Sequence, residues 1–255
     1  IMKNFLLNRA FVYVVLLVLM GCEGNKPGTD NLIAVDVTAN YPKKNLTLQD
    51  FMDVEYIPLE TTDEFISKGK VADVGKNILI LTNMRQGEIL IFDRSTGNGL
   101  KKINRRGQGP EEYILPFNVH LNKEENEIFV NDGPSSKIQV YDLEGNYKKT
   151  IFYKKGALVT NLYDYDDLHF LSQNVYAPEN DSSTSTFFLL SKEDGSWMDI
   201  EVPYEKRISP VIMKRVADRV YASVPGNSFI SFYQRNWILS EPSADTIYAH
   251  CPGGD

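Results

Sequence analysis

An internal echo limits the fold of this chain more than any other feature of the sequence. Ile91-Phe92-Asp93 is followed by Gly97, Val140-Tyr141-Asp142 by Gly145, and Leu189-Leu190-Ser191 by Gly195, so that Asp93, Asp142 and Ser191 stand 49 residues apart each time. A fourth copy, Ile247-Tyr248-Ala249, arrives 58 residues after the third, and the extra length falls in residues 204–226. Between these positions nearly every apolar segment is four to six residues long, rich in Ile, Val, Phe, Tyr and Leu, and bounded by Gly, Asn, Asp or Pro. Those are strand signals. Many of the segments are continuous rather than alternating, as Ile78-Leu79-Ile80-Leu81 and Phe187-Phe188-Leu189-Leu190 are, which fits sheets covered on both faces.

A β-sandwich has turns every 8 to 12 residues but no echo at this period. Blades of three or four strands, each burying its faces on its neighbours, repeat at about 40 to 50 residues in β-propellers. The expected fold is therefore all-β, a β-propeller of four-stranded blades. One short helix is expected within 204–226, because Ile212, Val216 and Val220 recur at i, i+4 and i+8.

Composition closes off several function classes. The formal charge is −7, from 27 Lys and Arg against 34 Asp and Glu, without a basic tract, so no nucleic-acid partner is expected. Two cysteines, Cys22 and Cys251, and three histidines, His120, His169 and His250, offer no zinc spacing. No nucleophile elbow occurs, and no Ser-His-Asp or Cys-His-Asn grouping follows from spacing.

The address lies at the N-terminus. Lys3 and Arg9 precede an unbroken apolar run of 11 residues, Ala10 to Met20, which is a secretory core too short to span a membrane. Leu19-Met20-Gly21-Cys22 then resembles the lipobox of bacterial lipoproteins, which implies a signal peptide at 1–21 and lipid attachment at Cys22. Residues 22–31 read as a lipidated tether, and 32–255 as the propeller domain. With Cys22 acylated, Cys251 is expected as a small buried hydrophobe.

Two further segments, Glu55-Tyr56-Ile57-Pro58-Leu59-Glu60-Thr61-Thr62 and Gly107-Gln108-Gly109-Pro110-Glu111-Glu112-Tyr113, together with the lipobox, make the chain similar to the six-bladed β-propeller lipoproteins of Gram-negative gut-type bacteria. The stretch from Gly107 to Pro116, with Ile128 to Asp132 and Lys137 to Asp142, resembles an NHL repeat. The resemblance implies an envelope lipoprotein of the outer membrane, exposed at the cell surface. It also implies six blades, whereas 32–255 holds about four at the observed period, so the domain is expected to be incomplete at its C-terminus. Gly107 and Gly109 are expected to serve a tight loop with positive φ.

Propeller function sits in the central channel, fed by the innermost strand of each blade. The candidate inner segments are 70–74, 117–121, 159–163 and 228–232, and on or beside them lie Asp73, Asn118, His120, Asn161 and Asp164. Asp164 to Asp167 reads as a solvated turn. Two function classes stay open. One is a non-catalytic binding or scaffold module for a protein, peptide or glycan, with no cofactor and with the membrane as partner through its lipid. The other is a hydrolase or lyase whose channel would gather such oxygen ligands around Ca²⁺.

Overall fold

A computed structural model describes residues 36, 38–68, 70–122, 126–157, 159–174, 185–204, 206, 208, 212–223 and 229–251. The expected signal peptide, lipid-attachment residue Cys22 and tether lie outside them. The chain divides into two compact units, 1–54 and 55–255. Within the first, one 3-10 turn at Leu48–Asp50 is formed and its residues are exposed.

The second unit is all-β. Blade 1 is the antiparallel sheet β1 (Lys70–Val74), β2 (Ile78–Asn83), β3 (Glu88–Asp93) and β4 (Gly99–Asn104). Blade 2 is β5 (Asn118–Asn122), β6 (Glu127–Asp132), β7 (Lys137–Asp142) and β8 (Tyr147–Phe152), and blade 3 is β9 (Tyr163–Asp164), β10 (His169–Gln173), β11 (Phe187–Ser191) and β12 (Trp197–Ile200). In each the strands pair in chain order. A hairpin follows, β13 (Ile212–Val216) with β14 (Arg219–Ser223), and then a three-stranded fourth blade, β15 (Ile230–Tyr233), β16 (Asn236–Leu239) and β17 (Tyr248–His250). This is a four-blade propeller arrangement.

The continuous apolar strands bury both faces by alternation. On β3, Ile89 and Ile91 join Val119, Leu121, Ile128 and Val130 of blade 2, while Leu90 and Phe92 turn the other way to Phe65 and Leu59. On β11, Phe188 and Leu190 pack with Phe129, Ile138 and Val140 of blade 2, while Phe187 and Leu189 pack with Ile230, Trp237 and Leu239 of blade 4. Full burial of one such side chain contributes about 1.5–3 kcal/mol, so the inter-blade seams hold the fold together.

The 49-residue echo is the turn that leaves the third strand. Asp93 Oδ1 accepts hydrogen bonds from the Ser95 and Thr96 amides at 2.9 and 2.8 Å, and Ser191 Oγ accepts from the Glu193 and Asp194 amides at 3.2 Å. Gly97, Gly145 and Gly195 close these turns with φ of +76°, +85° and +73°. They also serve the seam: a Cβ on Gly195 would overlap the Phe152 carbonyl of blade 2, and one on Gly97 would overlap the Pro58 carbonyl. Ile57-Pro58 therefore stands to blade 1 as Ile151-Phe152 stands to blade 3. Glu60 completes the join, its amide donating to Gly97 O at 2.9 Å and its Oε2 accepting from Gly99 N at 2.7 Å.

Three local expectations are corrected. Residues 212–223 form a hairpin and not a helix: Val216 pairs with Arg219 around a turn in which Ala217 has φ +52°. A spacing of four keeps Ile212 and Val216 on one strand face as readily as on one helix face, and branching at Cβ favours the strand. Gly107 and Gly109 are not among the positive-φ glycines. What they admit is the Glu112 side chain, which lies where a Gly107 Cβ would be and accepts the Gly109 N–H at 2.8 Å. Cys251 is exposed, because it follows the edge strand β17, and its thiol lies 2.8 Å from Asn236 Oδ1.

Candidate functional site

The inner strands fall at 70–74 and 118–122, close to the nominated segments, whereas the third is the short Tyr163–Asp164, which meets the nominated 159–163 only at Tyr163. β1, β5 and β9 each begin a blade, and each carries one ionisable residue toward a common point: Asp73, His120 and Asp164. On β1 the pairing register slips between Val71 and Asp73, so Ala72 is passed over immediately before the carboxylate. Such bulges re-aim a side chain. On β5, the strand of Val119 and Leu121 faces a core seam, and alternation puts His120 on the opposite side.

His120 is held from both sides. Its Nδ1 lies 3.0 Å from Asp73 Oδ2 and its Nε2 lies 2.8 Å from Asp164 Oδ2. Asp73 also accepts from the Leu121 amide at 2.9 Å and the Val74 amide at 2.7 Å. Asp164 Oδ1 takes the Lys192 ammonium at 2.9 Å, and Lys192 donates onward to Asp166 O at 2.7 Å. Phe170 closes one side, its ring edge-on to His120 at 5.4 Å between centroids and 4.9 Å from Lys192 Nζ. One chain of charge thus links the inner strands of three blades.

The electrostatics follow from that geometry. Burial opposes a charge on His120, but hydrogen bonds and attraction from Asp164 and Asp73 outweigh it and raise the pKa above its ordinary value. Burial likewise opposes the charge on Asp73, and the His120 contact and the Leu121 amide overcome it, so Asp73 is held below the usual carboxylate range. Asp164, opposed by burial but paired with His120 and Lys192, is held down at about 2. With a carboxylate, an acceptor only, at each ring nitrogen, the geometry favours the doubly protonated ring, and neither nitrogen is free to act as a base or a ligand.

Beside this brace opens a cavity of about 410 Å³. Asp73, His120 and Asp164 form part of its wall, and Asn118 and Asn161 line it as well. Thus all five nominated channel residues reach one cavity, and three of them touch. Asn118 Oδ1 is buried and has no hydrogen-bond partner. Asn161 accepts the Ser172 hydroxyl through its backbone carbonyl.

Three participants escape the sequence reading. Lys192 sits one residue after the echo position, in register with Arg94, whose guanidinium donates to Gly75 O at 2.9 Å in blade 1; aligning the repeats one residue further shows a basic residue in the first and third copies and Leu143 in the second. Tyr163 and Trp237 line the cavity with ring centroids 5.6 Å apart, and no spacing rule links them, since they come from different blades. The turn expected at Asp164 to Asp167 is formed only in part: Asp166 does cap the Leu168 and His169 amides at 2.8 and 2.7 Å, but Asp164 belongs to the brace. Among the described residues, no group of three or more His, Cys, Asp or Glu side chains has a metal-binding arrangement.

Comparison with known proteins agrees with this architecture. A family described as a domain of unknown function (DUF4934) matches residues 32–252, which gives the looser propeller likeness a specific family. No curated protein matches the sequence. Among solved structures, a candidate exported protein of Bacteroides fragilis is similar with a TM-score of 0.53 at 16% identity, over 82% of this chain and 57% of that one. A member of the DUF4221 family from Bacteroides vulgatus has a TM-score of 0.46 at 14% identity, over 78% and 61%. The chain thus spans about three fifths of the length of these structures, and at such identities the likeness concerns the fold alone.

Proposed function

From a chain that belongs to the DUF4934 family, we propose a lipid-anchored β-propeller of the bacterial envelope that acts as a non-catalytic binding module, with its ligand site in the cavity beside His120. One observation carries the reading. The most polar cluster on the inner strands spends its reactive groups on the protein itself: both His120 nitrogens are taken by carboxylates of the two neighbouring blades, and the Asp164 oxygens by His120 and by Lys192 of its own blade. A general base needs a free nitrogen within reach of a substrate proton, and a metal would have to displace a proton from an imidazolium held by two carboxylates. What remains available is the cavity, with the unpartnered Asn118 Oδ1 in its wall.

The envelope location rests on Lys3, Arg9, the apolar run and Cys22, and on the name of the Bacteroides fragilis relative, a candidate exported protein. Cys22→Ser should move the chain from the membrane fraction to the soluble fraction and abolish incorporation of labelled palmitate; retention of both would remove the anchor from the proposal. Thermal melts with Ca²⁺ and with EDTA address the site. The binding reading expects the melting temperature to ignore both, and a rise with Ca²⁺ that EDTA reverses would favour a metal-dependent enzyme instead.

A further inference from the structure

The cavity beside His120 contains groups that the brace does not use, and they share a chemical preference. Asn118 Oδ1 is buried without a partner. An acceptor in that condition costs the fold the desolvation of the group, and a ligand hydroxyl donating to it would recover the loss. Asn161 adds a second carboxamide, able both to donate and to accept.

Charge in the wall is already balanced. Lys70 and His120 stand against Asp73 and Asp164 in it, and each carboxylate lies within 3.0 Å of the His120 ring. A cationic ligand would have to displace His120 from a carboxylate, and an anionic one would meet both carboxylates beside Lys70. The rest of the wall is mainly apolar and includes two facing rings, Tyr163 and Trp237, at 53° with centroids 5.6 Å apart. At about 410 Å³, the space falls in the range of small-molecule sites, roughly 300–1,000 Å³.

A pyranose unites these demands, because it carries neutral donating hydroxyls on its rim and a C–H face that packs on an aromatic ring. We propose that the cavity binds a neutral carbohydrate unit, with a hydroxyl donating to Asn118 Oδ1, further hydroxyls on the Asn161 carboxamide, and the apolar sugar face toward Tyr163 and Trp237. The inference rests on the binding-module reading and names its ligand class. Peptides, whose amides could also reach Asn118, are the competing occupant.

The test uses the whole chain and a defined panel at millimolar concentration: methyl glucoside, methyl galactoside, methyl mannoside, N-acetylglucosamine, cellobiose, lactose and chitobiose, with glucuronate and glucosamine as charged counterparts. Saturation-transfer NMR and the Trp237 indole resonance report binding. At least one neutral sugar should bind and shift Trp237, and its charged counterpart should bind less well. Asn118→Leu should weaken that binding about tenfold, the loss of one buried hydrogen bond, without lowering the melting temperature, since Asn118 Oδ1 has no partner to lose. Asn161→Ala is the second variant, should the first not fold. Binding unchanged in both variants, or stronger for the charged sugars, overturns the proposal. If no sugar binds while a mixed peptide library shifts Trp237, the carbohydrate assignment falls and the binding module stands. Silence from both overturns the two together.

Discussion

Replacing His120 with Gln tests the brace between the inner strands β1, β5 and β9. The imidazolium is buried between Asp73 and Asp164, whose side chains are 18% and 44% exposed. Removing the charge leaves two carboxylates facing an uncharged amide. Breaking a fully buried ion pair costs about 3–5 kcal/mol, and the more exposed Asp164 is screened by solvent and contributes at the scale of a surface pair. Together these give a loss of about 2–4 kcal/mol, or about 5–15 °C in melting temperature for a domain of this size.

The pH dependence has a sign fixed by the same contacts. Because the folded pKa of His120 is raised above 6.5, its contribution is fully present below that value and is lost as the pH climbs through the raised one. Asp73 and Asp164 are held below 3.8, so theirs is present above it and is lost on acidification, toward about 2 for Asp164. Urea melts of the wild type should therefore be strongest in the interval between, and should weaken on going from neutral to alkaline pH. His120→Gln should remove the alkaline slope and shrink the acid slope, because the His120 contact is the main interaction that holds both carboxyls down. Adding Asp73→Asn to His120→Gln should recover at least half of the lost stability, since one stranded charge is gone. Parallel pH profiles for wild type and His120→Gln, or a loss below about 0.5 kcal/mol, within the reach of an ordinary surface substitution, would refute the brace.

Other perturbations test the seams. Gly97→Ala should cost about 3 kcal/mol or more in urea denaturation, combining left-handed strain with overlap on the Pro58 carbonyl, whereas Gly156→Ala, at φ +84° with nothing within 4 Å, should cost only the strain, about 1–2 kcal/mol. Tyr113→Phe removes a buried hydroxyl that donates to Gly87 O at 2.8 Å and accepts from Arg105 N at 3.1 Å, and should lower stability by about 1–3 kcal/mol by the same measurement. Asn131→Ala should cost at least as much, because Asn131 is fully buried, donates to Val159 O at 2.9 Å and accepts from the Tyr153 hydroxyl at 2.8 Å.

Much of the architecture was legible because a repeat of period 49 is a property of the chain itself. Asp93, Asp142 and Ser191 mark the same turn in three blades, and the runs around them declare strands buried on both faces. The inner strands were legible for the same reason, since the first strand of each blade must line the channel. That placed Asp73, Asn118, His120, Asn161 and Asp164 on one surface before any coordinates. Ile212, Val216 and Val220 were misread because a spacing of four satisfies both a helix and a strand, and only the two-residue turn at Ala217 and Asp218 separates them.

The sequence by itself determined the period, the strands and which residues could face the channel, because these depend on local chemistry and on alternation along one strand. Tertiary structure alone decided that His120 is locked between Asp73 and Asp164, that Lys192 completes the chain of charge, and that Trp237 reaches a cavity shared with Asn118. The His120 and Trp237 meetings join residues on different blades, the Lys192 contact crosses its own sheet, and all their distances depend on how the sheets twist and pack. No spacing along the chain encodes that angle.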